Sequence, residues 1–345
     1  MRSKPGTAER APAALLAALL VAACAPAAPP DPEVRELAAF GTLVTLRAWN
    51  APAARVDAAL ATLEADYRRL ERDWYPWADG ELAAINAAIA RGEPAAVSAP
   101  LRALLERAAG LERRSLGLFN PALGRLTELW GFHEPGRQDW RPPAAAAIAE
   151  LLAARPSAAR LAWDGARLTS TTPELALDPG GIAKGALLAR SAERLGAAGI
   201  DDAIIDLGGD LLVIGRAGGR AARIGIRRPG GRDALAWLEA ESGEAVMTSG
   251  DYERYFEHAG RRYAHVLDPA SGHPAEGTAS ATVVARDPLL ADAAATALLV
   301  GGSARFDELV AALGLDYALI VTASGDVRLT PAMAGRLHWL SDPVN

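Results

Sequence analysis

Cysteine occurs once, at Cys24, so the chain can form no internal disulfide and no cysteine-ligated metal cluster. Lysine is nearly as scarce. Of 36 basic residues only Lys4 and Lys184 are lysine; the rest are arginine. A basic excess is also missing: 36 basic residues face 42 acidic ones, a net charge of −6, which excludes the basic footprint of a nucleic-acid binder. Among five histidines, His133, His258, His273 and His338 are scattered without metal-ligand spacing. The apolar run at the N-terminus, Ala13–Ala23, is too short to span a bilayer. There is no internal repeat, and no long linker after residue 35.

What is present begins with a targeting segment. Arg2, Lys4 and Arg10 form a positive n-region ahead of the short apolar run, which ends in Val21-Ala22-Ala23-Cys24. This looks like a lipoprotein lipobox, with residues 1–23 as signal peptide and Cys24 as the lipidated first residue of the mature chain. The Pro/Ala-rich residues 24–35 then read as a tether, and 36–341 as one domain. With 345 residues, half of them apolar, the chain can bury a sizeable core.

The domain reads as α+β, with helices weighted to its first third and strands afterwards. Thr42–Trp49 alternates as a strand, and Val56, Leu60, Leu63, Tyr67, Leu70 and Trp74 recur at helical spacing. A second helix carries Leu82, Ile85 and Asn86; Ser98 caps a third. Pro142 and Pro143 open a further, Ala-rich helix, and Arg160–Ser170 is a hairpin about Asp164-Gly165. Strands are expected at 203–207, 211–214, 223–227, 234–239, 244–248, 317–321 and 327–329, and a hairpin turns on Ala259-Gly260. Leu289–Val300 and Arg305–Leu313 read as helices.

Five places carry chemistry. Leu177-Asp-Pro-Gly-Gly-Ile-Ala-Lys-Gly185 turns on two glycines into a helix from about Ile182; its free N–H groups and Lys184 suit an anion, while a plain strand-to-helix turn with a snorkelling lysine has the same pattern. A compact ammonium kept in an arginine-rich chain is not replaceable by a planar guanidinium. Asp292 and Thr296 share one helix face, an oxygen pair that suits Mg²⁺, or else a dipole-stabilising Asp and a back-bonding Thr. His265 precedes an Asp268-Pro269 turn, where it is either a general base or a hydrogen-bonded structural residue. Gly208-Gly209-Asp210 is either a phosphate cradle or an irregularity between strands. Asp73-Trp-Tyr-Pro-Trp77, three aromatics at a helix end, is a ring-stacking platform or a core plug.

The order of these stretches is more specific than any one of them. Phe40-Gly-Thr42, Gly80-Glu-Leu-Ala-Ala-Ile-Asn86, Ser115-Leu-Gly-Leu-Phe-Asn-Pro121, Trp130-Gly-Phe132, Asp178–Gly185, Ile205–Asp210, Thr248-Ser-Gly250, His265–Pro269 and Asp292–Thr296 together resemble the ApbE-type FAD:protein FMN transferases across nearly all of residues 36–335. The resemblance implies a single T-fold-like α+β domain with a mixed or antiparallel sheet. It implies a periplasm-facing, membrane-anchored lipoprotein that uses FAD and Mg²⁺. The FMN half of FAD would pass to a threonine hydroxyl of an acceptor protein, a membrane-associated redox subunit, with release of AMP. By position, Asp292, Thr296 and the Gly181 carbonyl would bind Mg²⁺. Asp178, Lys184, Leu118, Phe119, Asn120 and the backbone near Val266 would face the FAD. Phe40 stands at a position that is often Met, and Asn120 where Asp is usual. Trp77, with Trp74 and Tyr75 as alternatives, would stack on the cofactor. His265 would deprotonate the acceptor hydroxyl, Asp268 being the carboxylate alternative. A Mg²⁺-dependent FAD pyrophosphatase and a non-catalytic flavin-binding lipoprotein are the competing readings.

Overall fold

The computed structural model describes residues 30–340 except Pro135; the expected signal peptide, Cys24 and residues 25–29 of the expected tether lie outside the described residues. Two antiparallel strands, β1 (Glu33–Ala39) and β2 (Thr42–Trp49), come first. Pairing starts at Glu33, so residues 33–35, expected in the tether, belong to β1. Next are α1 (Ala53–Trp74), α2 (Glu81–Ala90), β3 (Ala95–Ala96), α3 (Ala99–Arg114), α4 (Gly124–Trp130), α5 (Ala145–Ala153), and the hairpin of β4 (Leu161–Asp164) and β5 (Arg167–Ser170). The second half holds α6 (Gly180–Ala197), β6 (Asp202–Leu207), β7 (Asp210–Ile214), β8 (Ala222–Arg227), β9 (Ala234–Ala240), β10 (Ala245–Gly250), β11 (Tyr255–His258) and β12 (Arg261–Ala264). It closes with β13 (Thr278–Ala285), α7 (Pro288–Leu313), β14 (Tyr317–Thr322), β15 (Val327–Leu329), α8 (Pro331–Ala334) and β16 (His338–Trp339).

Eight strands form the main sheet in the order β1-β2-β6-β7-β10-β13-β14-β15, all neighbours antiparallel. Strand alternation divides its side chains between two cores. Leu46, Ile205, Met247 and Val283 join Leu63, Leu187 and Leu298 from the helices. Trp49, Ile204, Val246 and Val284 join Ile224 and Leu238 from the small sheet β16-β9-β8 on the other face. A third cluster around Trp130, Phe132, Phe256 and Leu267 ties α4 to the hairpin of β11 and β12.

Helix α7 is long and apolar enough to cross a membrane, yet it is a core helix: it packs on α6, β10 and β13 and buries Asp292. Gly302, at φ 53° and ψ −159°, breaks it between the two helices expected from sequence. Where α6 crosses α7, a Cβ on Gly185 would lie 2.4 Å from the Pro288 carbonyl oxygen, so only glycine permits this approach.

Candidate functional site

The α6–α7 crossing builds the centre of the site. Asp292 is buried, 4% exposed, and its Oδ2 accepts the Gly185 N–H at 2.8 Å. In a helix that N–H points at the carbonyl four residues earlier, which is Gly181, so carboxylate and carbonyl are drawn to one spot. A Cβ at Gly181 would lie 3.2 Å from Thr296 Oγ1, and Ser249 Oγ lies 3.3 Å from that hydroxyl. One carboxylate, two hydroxyls and a carbonyl therefore converge. Among the described residues no group of three His, Cys, Asp or Glu side chains is placed to hold a metal. The donor set is thus hard oxygen with a single carboxylate, which fits Mg²⁺, an ion that keeps waters and takes phosphate oxygens. Burial pushes the Asp292 carboxyl up to about 7; Lys184 pulls it down, and Asp210 adds to the rise.

Lys184, one turn into α6, is salt-bridged to Asp210, whose other oxygen accepts the Thr248 N–H at 2.8 Å. Burial opposes its charge, but Asp210 and Asp292 outweigh burial and hold the ammonium above the usual lysine value. Asp210 reaches it because Gly208 and Gly209, both at positive φ, make a two-residue hairpin turn between β6 and β7.

Asp178 caps the start of α6, accepting from Gly180 N at 3.0 Å and from Thr127 Oγ1 at 3.2 Å. Its approach is set by buried Asn86, which clamps both backbone groups of Leu177. Burial raises the Asp178 carboxyl against these bonds and the charge of Arg254.

His265 follows β12. Its Nδ1 and its main-chain N–H both lie on the Arg254 carbonyl, at 3.1 and 3.0 Å. Nδ1 is therefore the protonated nitrogen and Nε2 is left as the acceptor. Desolvation, with the charges of Arg254 and Lys184, pushes this imidazole down to about 3, so it is neutral at physiological pH.

Residues 40–319 match the ApbE family model. The chain belongs to the ApbE family. It is 40% identical over 314 residues to the FAD:protein FMN transferase of Rhodobacter capsulatus, covering 90% of this chain and 59% of that protein. With the Treponema pallidum FAD:protein FMN transferase it shares 34% identity over 334 residues, 87% of each. Among solved structures, the ApbE protein of Thermotoga maritima superposes with a TM-score of 0.80 at 29% identity, over 88% of this chain and 99% of that one. The apo flavinyl transferase ApbE of Pseudomonas stutzeri gives 0.77 at 31% identity, over 89% and 98%.

Within this ApbE fold most residues singled out from sequence meet at one end of the main sheet. Phe119, buried, packs on Gly181. Phe40 holds a positive φ of 51° in the β1–β2 turn, with its ring edge-on to Tyr67; that turn adjoins the Gly208 turn, where Gly208 N donates to Leu43 O. Trp74 is a core residue, whereas Trp77 lies 5.5 Å from the rings of both Tyr75 and His133. Of the three aromatics, Tyr75 and Trp77 are the two left outside the core. Leu118 is partly buried and leans toward Gly301, and the Val266 carbonyl accepts from Ala275 N.

Two side chains are spent on nearby main-chain groups. Asn120 accepts from Ala122 N within its own turn and donates to Pro156 O in the loop before β4. Asp268 Oδ1 accepts the Ala270 N–H at 2.9 Å and organises the Asp-Pro turn, while His265 takes its ring partner from Arg254. Three residues of the site were not assigned from sequence. Ser249 is readable from alternation, since it faces α7 when its neighbour Thr248 faces the other core. Asp210 closes the two-residue hairpin at Gly208-Gly209, a stretch read from sequence as a phosphate cradle or an irregularity between strands. Arg254 carries no sequence signal; only the β11–β12 hairpin brings it to His265.

Proposed function

We propose that this protein transfers the FMN half of FAD to a threonine hydroxyl of an acceptor protein, releasing AMP, in a Mg²⁺-dependent reaction. The observation that carries the reading is the meeting of the Asp292–Thr296–Gly181 oxygen set, Lys184 and a neutral His265 at the mouth of α6, in the fold of the named flavin transferases. Mg²⁺, held by Asp292, Thr296 and the Gly181 carbonyl with Ser249 beside them, would neutralise charge on the pyrophosphate.

The protein's own residues supply the rest. Lys184, fixed by Asp210, places a second positive charge where the pyrophosphate charge grows. His265 Nε2 takes the threonine proton as the Oγ–phosphorus bond forms. The bond from that phosphorus to the bridging oxygen breaks, and AMP leaves with the electron pair. Tyr75 and Trp77 offer ring faces for the isoalloxazine. Cys24, behind its apolar leader, anchors the mature chain to a membrane facing the periplasm, where a membrane-associated redox subunit is the acceptor.

The test mixes the protein with FAD, Mg²⁺ and an acceptor domain, then assays free AMP and flavin fluorescence on the denatured acceptor band. A fluorescent band with AMP, both lost in Asp292→Ala, is the expected result. AMP with free FMN and no label would make the protein an FAD pyrophosphatase. Intact FAD throughout would leave a binding protein.

A further inference from the structure

A cleft of about 540 Å³ opens on the face of the main sheet turned away from α6 and α7. One wall is the main sheet, with Arg47, Trp49 and Asp206; the other is β8, with Arg223 and Arg227 on either side of Gly225. Arg47 lies on the face opposite Leu46, and Asp206 on the face opposite Ile205, so none of these side chains points toward the helices. None of the residues matched to FAD contacts lines this cleft.

Three arginines, Arg47, Arg223 and Arg227, share the lining with two carboxylates, Asp206 and Glu253, and Glu239 lies beside Arg223. Arg227 rests 5.0 Å from the centroid of the Tyr252 ring and donates to the Gly231 carbonyl at 3.0 Å. Arg223 lies over Trp237, and its carboxylate contact, to Glu239, is 3.8 Å. Among the described residues neither Arg47 nor Arg227 has a carboxylate in salt-bridge range. Asp206 gives one oxygen to its own hairpin, accepting Gly209 N at 2.7 Å. Among the described residues strand β8 pairs only with β9, so its outer edge offers main-chain groups beside these guanidiniums.

The cleft borders the reaction centre at the Gly208-Gly209 turn, which lines it and carries Asp210. Thr248 lines it, and the Thr248 N–H is bonded to Asp210, which holds Lys184 from the other side. Phosphoryl transfer places the attacking and leaving oxygens in line, so nucleophile and AMP need separate approaches. The FAD-contact positions occupy one approach, and the cleft is the other.

We propose that this cleft seats the acceptor: an extended segment next to the modified threonine lies along β8 and pairs its carboxylates with Arg223 and Arg227. This rests on the transfer reading above. Main-chain pairing along this edge supplies register, and the arginine forks select acidic side chains.

The test uses the full-length protein with FAD and Mg²⁺ and two synthetic threonine peptides, one flanked by aspartates and one with each aspartate replaced by lysine. Labelling gives KM and kcat for each peptide, and flavin fluorescence gives FAD affinity. Wild type should prefer the aspartate peptide. In the Arg223→Gln/Arg227→Gln protein its KM should rise about tenfold or more with kcat and FAD affinity unchanged, the loss of one or two charge-assisted bonds. Arg223→Glu/Arg227→Glu should reverse the preference. Equal KM values across wild type and variants would overturn the proposal. Weakened FAD binding in the glutamine variant would assign the cleft to the nucleotide and overturn it as well. AMP release by wild type without label on either peptide would remove the transfer reading itself, and the docking with it.

Discussion

A histidine whose Nδ1 proton is held by a main-chain carbonyl keeps its other nitrogen open, and burial keeps it uncharged. His265 has both features, the first from Arg254 O and the second from desolvation that pushes it down to about 3. At saturating Mg²⁺, kcat/KM for the acceptor is therefore expected to stay level through the ordinary imidazole value of 6.5 and fall only at lower pH. The same shift makes acid destabilising. The unfolded chain takes up this proton near 6.5 and the folded one only near 3, so this contribution to stability is present above 6.5 and is lost as pH falls between them. His265→Ala should lose transfer, keep FAD affinity and unfold with a weaker dependence on pH below 6.5. An acidic limb at 6.5 in wild type, or normal labelling by the variant, would place the base elsewhere. His265 was legible in the sequence because it stands beside an Asp-Pro turn; its partner was not, because a carbonyl belongs to every residue.

The α6–α7 crossing is the element on which the proposed metal ligands depend. Gly185 is the contact point, and its N–H fixes Asp292 Oδ2. Gly185→Ala must separate the helices, at a cost of about 1–3 kcal/mol. Mg²⁺ should then stabilise the variant less than wild type, because the carboxylate leaves its donor. Gly196→Ala, on an exposed turn of the same helix with nothing within 4 Å, should instead stabilise by about 0.4–1 kcal/mol. Thermal melts with and without Mg²⁺ compare the two; equal behaviour would show that the crossing does not set the site. The strand beneath this crossing, β13, escaped the sequence reading. Its residues, Thr-Ala-Ser-Ala-Thr-Val-Val-Ala, are buried on both faces, so no alternation marks them. The amphipathic α1 and α3, by contrast, were plain in sequence because each has one wet face.

At the scale of the whole molecule, residues 30–340 other than Pro135 carry the folded domain, and the proposed lipidation signal lies ahead of them. Helix α7 does not serve as an anchor, since it carries Asp292 into the core. Cys24→Ser should therefore move the protein from the membrane to the soluble fraction and leave FAD affinity intact; continued membrane retention would require another anchor. Local pattern marked the class of fold, the order of most elements, and the candidates Asp178, Lys184, His265, Asp292 and Thr296, whose roles came only from the resemblance of the motifs taken in order. Those signals are short-range: turn chemistry, helical spacing and one lysine among arginines. Only the tertiary structure decided the partners. It set Asp210 on Lys184, Ser249 on Thr296 and Arg254 on His265, released Trp74 to the core, and tied Asn120 to Pro156 and Asp268 into its own turn. Each of those contacts depends on which strand lies beside which and on which face a residue falls, and both are settled by burying one shared core.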